Sequence, residues 1–304
     1  MLNALTIDVE DYYMVSAFAD RICFTDWDLL ESRVERSTHT ILDLLNEREV
    51  KVTFFVLGWV AKRFPALIRE IESQGHEIAS HGFNHRLVYN LSPEEFRADL
   101  KQSRDILENI TGVPVLGYRA ASYSIVQRSI WALDILIEEG FVYDSSVFPV
   151  YHDRYGMPGA KRHPHVITRP AGSIIEFPPA TLKLGKSVFP VAGGGYLRLL
   201  PMCLTRYALR RLNEQENQIA VVYLHPWEVD TDQPRINGSL VSRFRHYVNL
   251  DSTLVKLRAL LTDFEFGSLR TIMQSNNQAI YILDNQVPGS NKTHATMESQ
   301  SVAK

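Results

Sequence analysis

Short apolar runs, rich in β-branched and aromatic residues, alternate along this chain with stretches of helical periodicity. Residues 4–8 (ALTID) form the first strand candidate. Residues 52–56 (VTFFV) read as a fully buried strand, being short, apolar and built of β-branched and aromatic residues. Further strands are predicted at 77–80, 115–118, 141–143, 174–177 and 219–224, the last reading IAVVYL. Between them the spacing predicts helices over 34–45, 130–139, 204–213 and 254–261. Another follows VTFFV, with Pro65 suited to its first turn and Gly75 to its end. Ser92-Pro93-Glu94-Glu95 is a helix start: Ser92 caps, Pro93 takes the first turn and Glu95 completes a capping box. Phe96, Leu100, Leu107 and Ile110 give that helix its apolar face, and Gly112 stops it. Residues 149–170, rich in Pro, His, Arg and Tyr, read as a long loop that shapes a site.

Repeated β–α units imply an α/β chain with a mainly parallel sheet. Periodicity alone leaves closure into a barrel open. In either form, ligands gather beyond the carboxyl ends of the strands. The length of 304 residues accommodates one large barrel or two modest domains. A net charge of −3 argues against a general binder of nucleic acid or anionic membranes, though not against a local charged cleft. Cys23 and Cys203 are too few for a disulfide framework or thiolate metal site, and are expected to be buried free thiols of a reducing compartment. No basic region followed by an apolar run opens the sequence, and no apolar stretch approaches the roughly 20 residues of a membrane span. The expected location is cytoplasmic. Residues from 285 onward are polar and are expected to form a disordered tail.

Four predicted strand ends carry polar clusters. The first is Asp8-Val9-Glu10-Asp11. Alternation along an extended chain lets Asp8 and Glu10 face the same way, so one carboxylate can serve as base and the other as metal ligand. The bland alternative is a solvated acidic turn. The second is Ser80-His81-Gly82-Phe83-Asn84-His85, whose histidines reach one metal ion if the segment coils into a single turn. The third, Gly117 to Tyr123, holds Arg119, which can orient a neighbouring carboxylate. The small residues after it let backbone approach a substrate. The fourth ends IAVVYL with His225-Pro226-Trp227, where a histidine can protonate a leaving group near neutral pH. Asp144 and Glu176 compete as the carboxylate holding the His225 tautomer.

The order of these elements resembles the polysaccharide deacetylases of carbohydrate esterase family 4, the nodulation-type chitooligosaccharide deacetylase family, over residues 5–227. The phrases Asp8 to Tyr13, Phe54 to Gly58, Gly193-Gly194-Gly195-Tyr196 and His225-Pro226-Trp227-Glu228 resemble one bacterial subgroup. That subgroup accompanies exopolysaccharide and exosortase-type loci and carries an extra C-terminal segment, here including residues 244–250. The resemblance implies a distorted (β/α) barrel of seven or eight strands with catalytic domain 1–230, a C-terminal extension 231–284 and the tail 285–304. It also implies a divalent metal, usually zinc, and an N-acetylated oligo- or polysaccharide substrate.

Carried over by position, Asp8 resembles the catalytic base, Arg119 the arginine positioning it, His225 the general acid with Asp144 orienting it, and His81 and His85 the metal ligands. The commoner pattern has two adjacent aspartates, but Val9 stands in the second place. The metal carboxylate therefore shifts to Glu10, with Asp11 as the fallback. The usual proline after the arginine is replaced by Ala120-Ala121, and the oxyanion amide is placed at Ser122. Two rivals accompany this reading: a hydrolase of small allantoin-like amides, and a catalytically silent carbohydrate-binding protein.

Overall fold

The computed structural model describes residues 1–152, 154–191 and 193–275. Its first half runs β1 (Asn3–Val9), α1 (Val34–Glu47), β2 (Thr53–Val56), α2 (Gly58–Arg63), α3 (Pro65–Ser73), β3 (Glu77–Ser80), α4 (Pro93–Thr111), β4 (Gly117–Tyr118), α5 (Ala132–Glu138) and β5 (Tyr143–Asp144). The second half adds β6 (His165–Arg169), β7 (Gly172–Glu176), β8 (Thr181–Leu184), β9 (Ser187–Pro190), α6 (Gly194–Leu199), α7 (Met202–Arg210) and β10 (Val221–Leu224). It ends with α8 (Leu240–Tyr247), α9 (Thr253–Asp263), β11 (Phe266–Gly267) and α10 (Leu269–Ser275).

Seven strands lie parallel in the order β10-β1-β2-β3-β4-β5-β7. The ring is completed beyond β7, where the Ala180 N–H donates to the Val221 carbonyl at 2.9 Å and brings the chain against β10. The barrel is distorted because β4 and β5 are only two residues each. β6 pairs antiparallel outside β7, and β11 lies beside the first residues of β1.

Alternation decides which side chains fill the barrel. Ala4, Phe55, Ala79, Tyr143, Phe177 and Val221 form its inner cluster, closed from below by Leu269, Ile272 and Met273 of α10. Leu5, Ile7 and Val9 point the other way, into the core shared with the helices. The inward row of β1 therefore runs Ala4, Thr6, Asp8, and its uppermost member is a carboxylate.

Local signals set the helices. Ser92 Oγ accepts from the Glu95 N–H and the Glu95 carboxylate accepts from the Ser92 N–H, the expected capping box, and α4 stops at left-handed Gly112. Pro65 opens α3, as its missing N–H allows, but the preceding turn forms a separate α2. Two expectations are corrected. The loop expected over 149–170 contains β6, because 165–169 find a hairpin partner in β7. Cys23 and Cys203, expected to be buried, are exposed free thiols, since Cys23 lies in the extended residue before a short helical turn and Cys203 on the outer side of α7. The tail from residue 285 lies outside the described residues.

One close approach depends on a missing side chain. A Cβ on Gly117 would lie 1.9 Å from Cζ of Tyr143, whose hydroxyl donates to buried Glu77 at 3.0 Å inside the barrel. Gly117→Ala is expected to destabilise the fold by about 2 kcal/mol, the cost of overpacking a filled interior. Thermal unfolding checks this, and an unchanged midpoint would mean that the Tyr143 ring has room to move.

Candidate active site

The polar strand ends meet above the barrel. Asp8, Glu10, His81, His85, Ser122 and His225 line one cavity of about 380 Å³, with Tyr123, Tyr155, Tyr196, Tyr223 and Trp227 among its other walls. β1 stands between β10 and β2, with β3 and β4 next in order, so residues distant in sequence become neighbours.

Arg119 is fully buried beneath this cavity. Its Nη1 donates to Asp8 Oδ1 at 2.6 Å and to Thr6 Oγ1 at 2.8 Å. Nε and Nη2 donate to the carbonyl and hydroxyl of Ser145. The guanidinium also lies 4.1 Å from the centre of the Phe55 ring, a cation–π contact. Asp8 is thus fixed by a charge-assisted bond to a group that is itself immobilised.

The Glu10 N–H donates to the Asp8 carbonyl at 3.0 Å, so the chain turns at once after β1 and sends both carboxylates into the cavity. His81 and His85 do not share a helix. Gly82 and His85 are left-handed, and Gly58 and Trp59 donate to the Gly82 and Phe83 carbonyls, holding this loop against α2. His81 Nδ1 lies 2.8 Å from the Arg119 carbonyl. A carbonyl only accepts, so Nδ1 carries the proton and Nε2 keeps its lone pair. Burial pulls the His81 imidazole down to about 4.

Among the described residues, Glu10, His81 and His85 form the group whose ligand atoms all lie within 4.8 Å of one another. Glu10 Oε2 lies 3.0 Å from His85 Nε2, yet this buried oxygen has no hydrogen-bond partner. Burial would raise the Glu10 carboxyl, but His85, His225 and His81 together hold it down to about 2. An orphaned buried oxygen beside two imidazoles, one with its lone pair free, is a donor set that suits a divalent cation.

His225 Nε2 stands 3.1 Å from Glu10 Oε1 and 3.8 Å from Asp8 Oδ2. Its Nδ1 faces Glu228 Oε1 at 2.7 Å, and the same oxygen accepts from the His225 N–H at 3.0 Å. Burial would lower this imidazole, but Glu10 and Glu228 outweigh it and push it up to about 9. Glu228 is itself buried and held down to about 2 by Arg198, at 2.6 Å, and by His225.

This corrects two expectations. Neither Asp144 nor Glu176 is the hydrogen-bond partner of His225. Tyr143 and Phe177 occupy the inward positions next to them, so both acids point out of the barrel, where Asp144 bonds Ser146 and Glu176 accepts from the Val147 N–H. Glu228 is the partner instead, three residues on in the turn that follows β10, where its carboxylate also accepts from the His225 N–H. Asp11, the fallback ligand, is spent elsewhere. Its carboxylate accepts from Ser32 Oγ and from the N–H groups of Tyr12, Arg33 and Val34, fixing the start of α1.

Ser122 lines the cavity with a left-handed backbone (φ 50°, ψ 31°), followed by left-handed Tyr123. Two such non-glycine residues in sequence are strained, and the Ser122–Ser16 hydroxyl contact at 2.8 Å helps to hold them.

Comparison with known proteins matches residues 21–134 to the family described as Polysaccharide deacetylase, and residues 145–274 to a Domain of unknown function (DUF3473). His81, His85 and Arg119 fall in the first region; Arg198, His225 and Glu228 fall in the second. A peptidoglycan-N-acetylglucosamine deacetylase of Bacillus cereus is 31% identical over 98 residues, which are 32% of this chain and 36% of that protein. A peptidoglycan deacetylase-like protein of Gibberella zeae is 35% identical over 151 residues, 48% of this chain and 43% of that one. The chain thus spans less than half the length of these relatives. A solved structure from Mycobacterium smegmatis, assigned to the polysaccharide deacetylases, covers 96% of this chain and 94% of its own at 23% identity, with a TM-score of 0.57. That likeness is one of fold.

Proposed function

Starting from the match of residues 21–134 to the polysaccharide deacetylase family, we propose that the chain hydrolyses the acetamide of an N-acetylated amino-sugar polymer. The observation that carries this reading is the partnerless Glu10 Oε2 facing His81 and His85, with Asp8 and His225 on either side.

Glu10, His81 and His85 would hold a divalent ion, and one carboxylate with two imidazoles suits zinc first. When bound, such an ion polarises an acyl oxygen and acidifies water beside it. Asp8, oriented by Arg119, takes the proton of the attacking water. His225, held protonated near neutral pH by Glu10 and Glu228, returns a proton to the departing amine. The Ser122 N–H is our choice of backbone donor to the developing oxyanion. Acetate and a free amino sugar result. The tyrosines and Trp227 supply flat faces suited to sugar rings, and Trp227 is fixed by stacking at 4.1 Å on His246. The motif phrases shared with the exopolysaccharide-locus subgroup support a substrate made for export. We read residues 231–275 as an extension completing one catalytic unit, since β11 joins β1 and α10 closes the barrel from below.

The test is acetate release from N-acetylglucosamine oligomers. Zinc-loaded protein is expected to release acetate, chelated protein to lose at least about 100-fold of the rate, and added metal to restore it. No release by the loaded protein would overturn the reading. A screen of allantoin-like amides would then separate a small-amide hydrolase from a silent carbohydrate-binding protein.

A further inference from the structure

The rim of the cavity is unusually apolar for a surface in water. On α8, Leu240 is 81% exposed, Val241 59% and Phe244 58%, while Ser242 and His246 turn inward against the body. Leu199, 42% exposed, lines the cavity itself, and Tyr151, 91% exposed, directly precedes the cavity residue His152. Isolated exposed apolar residues are ordinary, but three grouped on one helix whose Arg245 and His246 line the cavity mark a contact surface.

Among the described residues of α8 the charges are of one sign. α8 carries Arg243 and Arg245, both exposed, and no acidic residue, and exposed Arg235 precedes it. Arg245 lines the cavity mouth. The nearby Asp232 is paired with Arg36 at 3.8 Å. This cationic strip sits on a chain whose net charge is −3. Apolar side chains flanked by arginines, both directed outward from one helix, match the boundary between acyl chains and anionic headgroups. A second copy of the chain fits less well, because two-fold pairing through this face would set its arginines against their counterparts.

We propose that the α8 rim docks on the surface of a bilayer containing anionic lipids, turning the mouth of the cavity toward the lipid headgroups. Such docking is independent of the reaction assigned to the cavity.

Flotation with phosphatidylglycerol–phosphatidylcholine vesicles, beside vesicles of phosphatidylcholine alone, tests it. The full chain is expected to float with the anionic vesicles and to be released as salt rises. The triple variant Leu240→Ser/Val241→Ser/Phe244→Ser should bind about tenfold more weakly or worse, and Arg243→Glu should also weaken binding. Val255→Ser, at a position 69% exposed on α9, should bind as wild type does. Circular dichroism confirms that each variant is folded. Absence of wild-type flotation, or equal flotation of the triple variant, would overturn the proposal. So would a dimer seen by sedimentation that the triple variant abolishes, which would assign the face to a second copy.

Discussion

Asp8→Asn is expected to lower acetate release by about 1,000-fold, the scale of losing a positioned general base. Asparagine keeps the shape and still offers an oxygen to Arg119 Nη1, which lies 2.6 Å from Asp8 Oδ1 in the native protein. It cannot accept the proton of water. The substitution also leaves the fully buried Arg119 without its counter-charge, so thermal stability should fall as well. The guanidinium retains its bonds to Thr6 and Ser145, which should keep the barrel closed at ordinary temperature. Turnover and metal content are therefore measured well below the variant's own melting point. Metal content should be unchanged, because Glu10, His81 and His85 are intact. Activity within tenfold of wild type would remove Asp8 from the role of base.

Arg198→Met is expected to destabilise the fold by about 3–5 kcal/mol, the range for stripping one partner from a buried ion pair. Arg198 joins three parts of the chain. Its Nε donates to Glu228 Oε2 at 2.6 Å, and its remaining donors reach the carbonyls of Arg245, His246 and Val248. Methionine fills much of the same space but leaves a buried carboxylate and three carbonyls without this partner. The pH dependence provides a second readout. Glu228 is held down to about 2 from an ordinary 4.5, so its contribution is complete above about 4.5 and is lost as pH falls toward 2. Without Arg198 the folded-state value rises, and the acid-side loss of stability should become shallower. Melting temperatures taken from neutral pH downward check both points. A loss below about 1 kcal/mol, with an unchanged acid slope, would mean that Glu228 does not depend on Arg198.

Much of the site is legible in the order of residues alone, because it sits where β–α alternation puts functional groups. Asp8, Glu10, His81, Arg119 and His225 all follow apolar runs, and the parallel order brings those run ends together. Asp144 and Glu176 follow apolar runs too, and there the same signal misleads. Position along a strand is visible in the sequence, but which face of the barrel its last residue takes is not, and parity sends both Asp144 at the end of two-residue β5 and Glu176 at the end of β7 outward. Glu228 is hidden for the opposite reason. It lies three residues from His225 in a tight turn, so no strand-end argument reaches it. Arg198 carries no local signal, since its partners are residues 228 and 245–248. The burial of β1 is legible from its apolar run, whereas the β8–β9 hairpin is not, because its exposed residues alternate weakly.

The central place of β1 in the sheet has a consequence for how the molecule comes into being. β1 precedes the other described strands in the chain, yet one of the strands flanking it is β10, more than 200 residues later, through Ala4–Val221 to Ile7–Leu224. Contacts of such sequence separation meet their loop-closure cost late and slow the search for the native state. A nascent chain can pair β1 with β2 and β3 and bring Glu10 near His81 and His85 while His225 is still unmade. Cation affinity should thus emerge earlier during synthesis than turnover, and the growing polypeptide would remain chemically inert until β10 slots in beside β1.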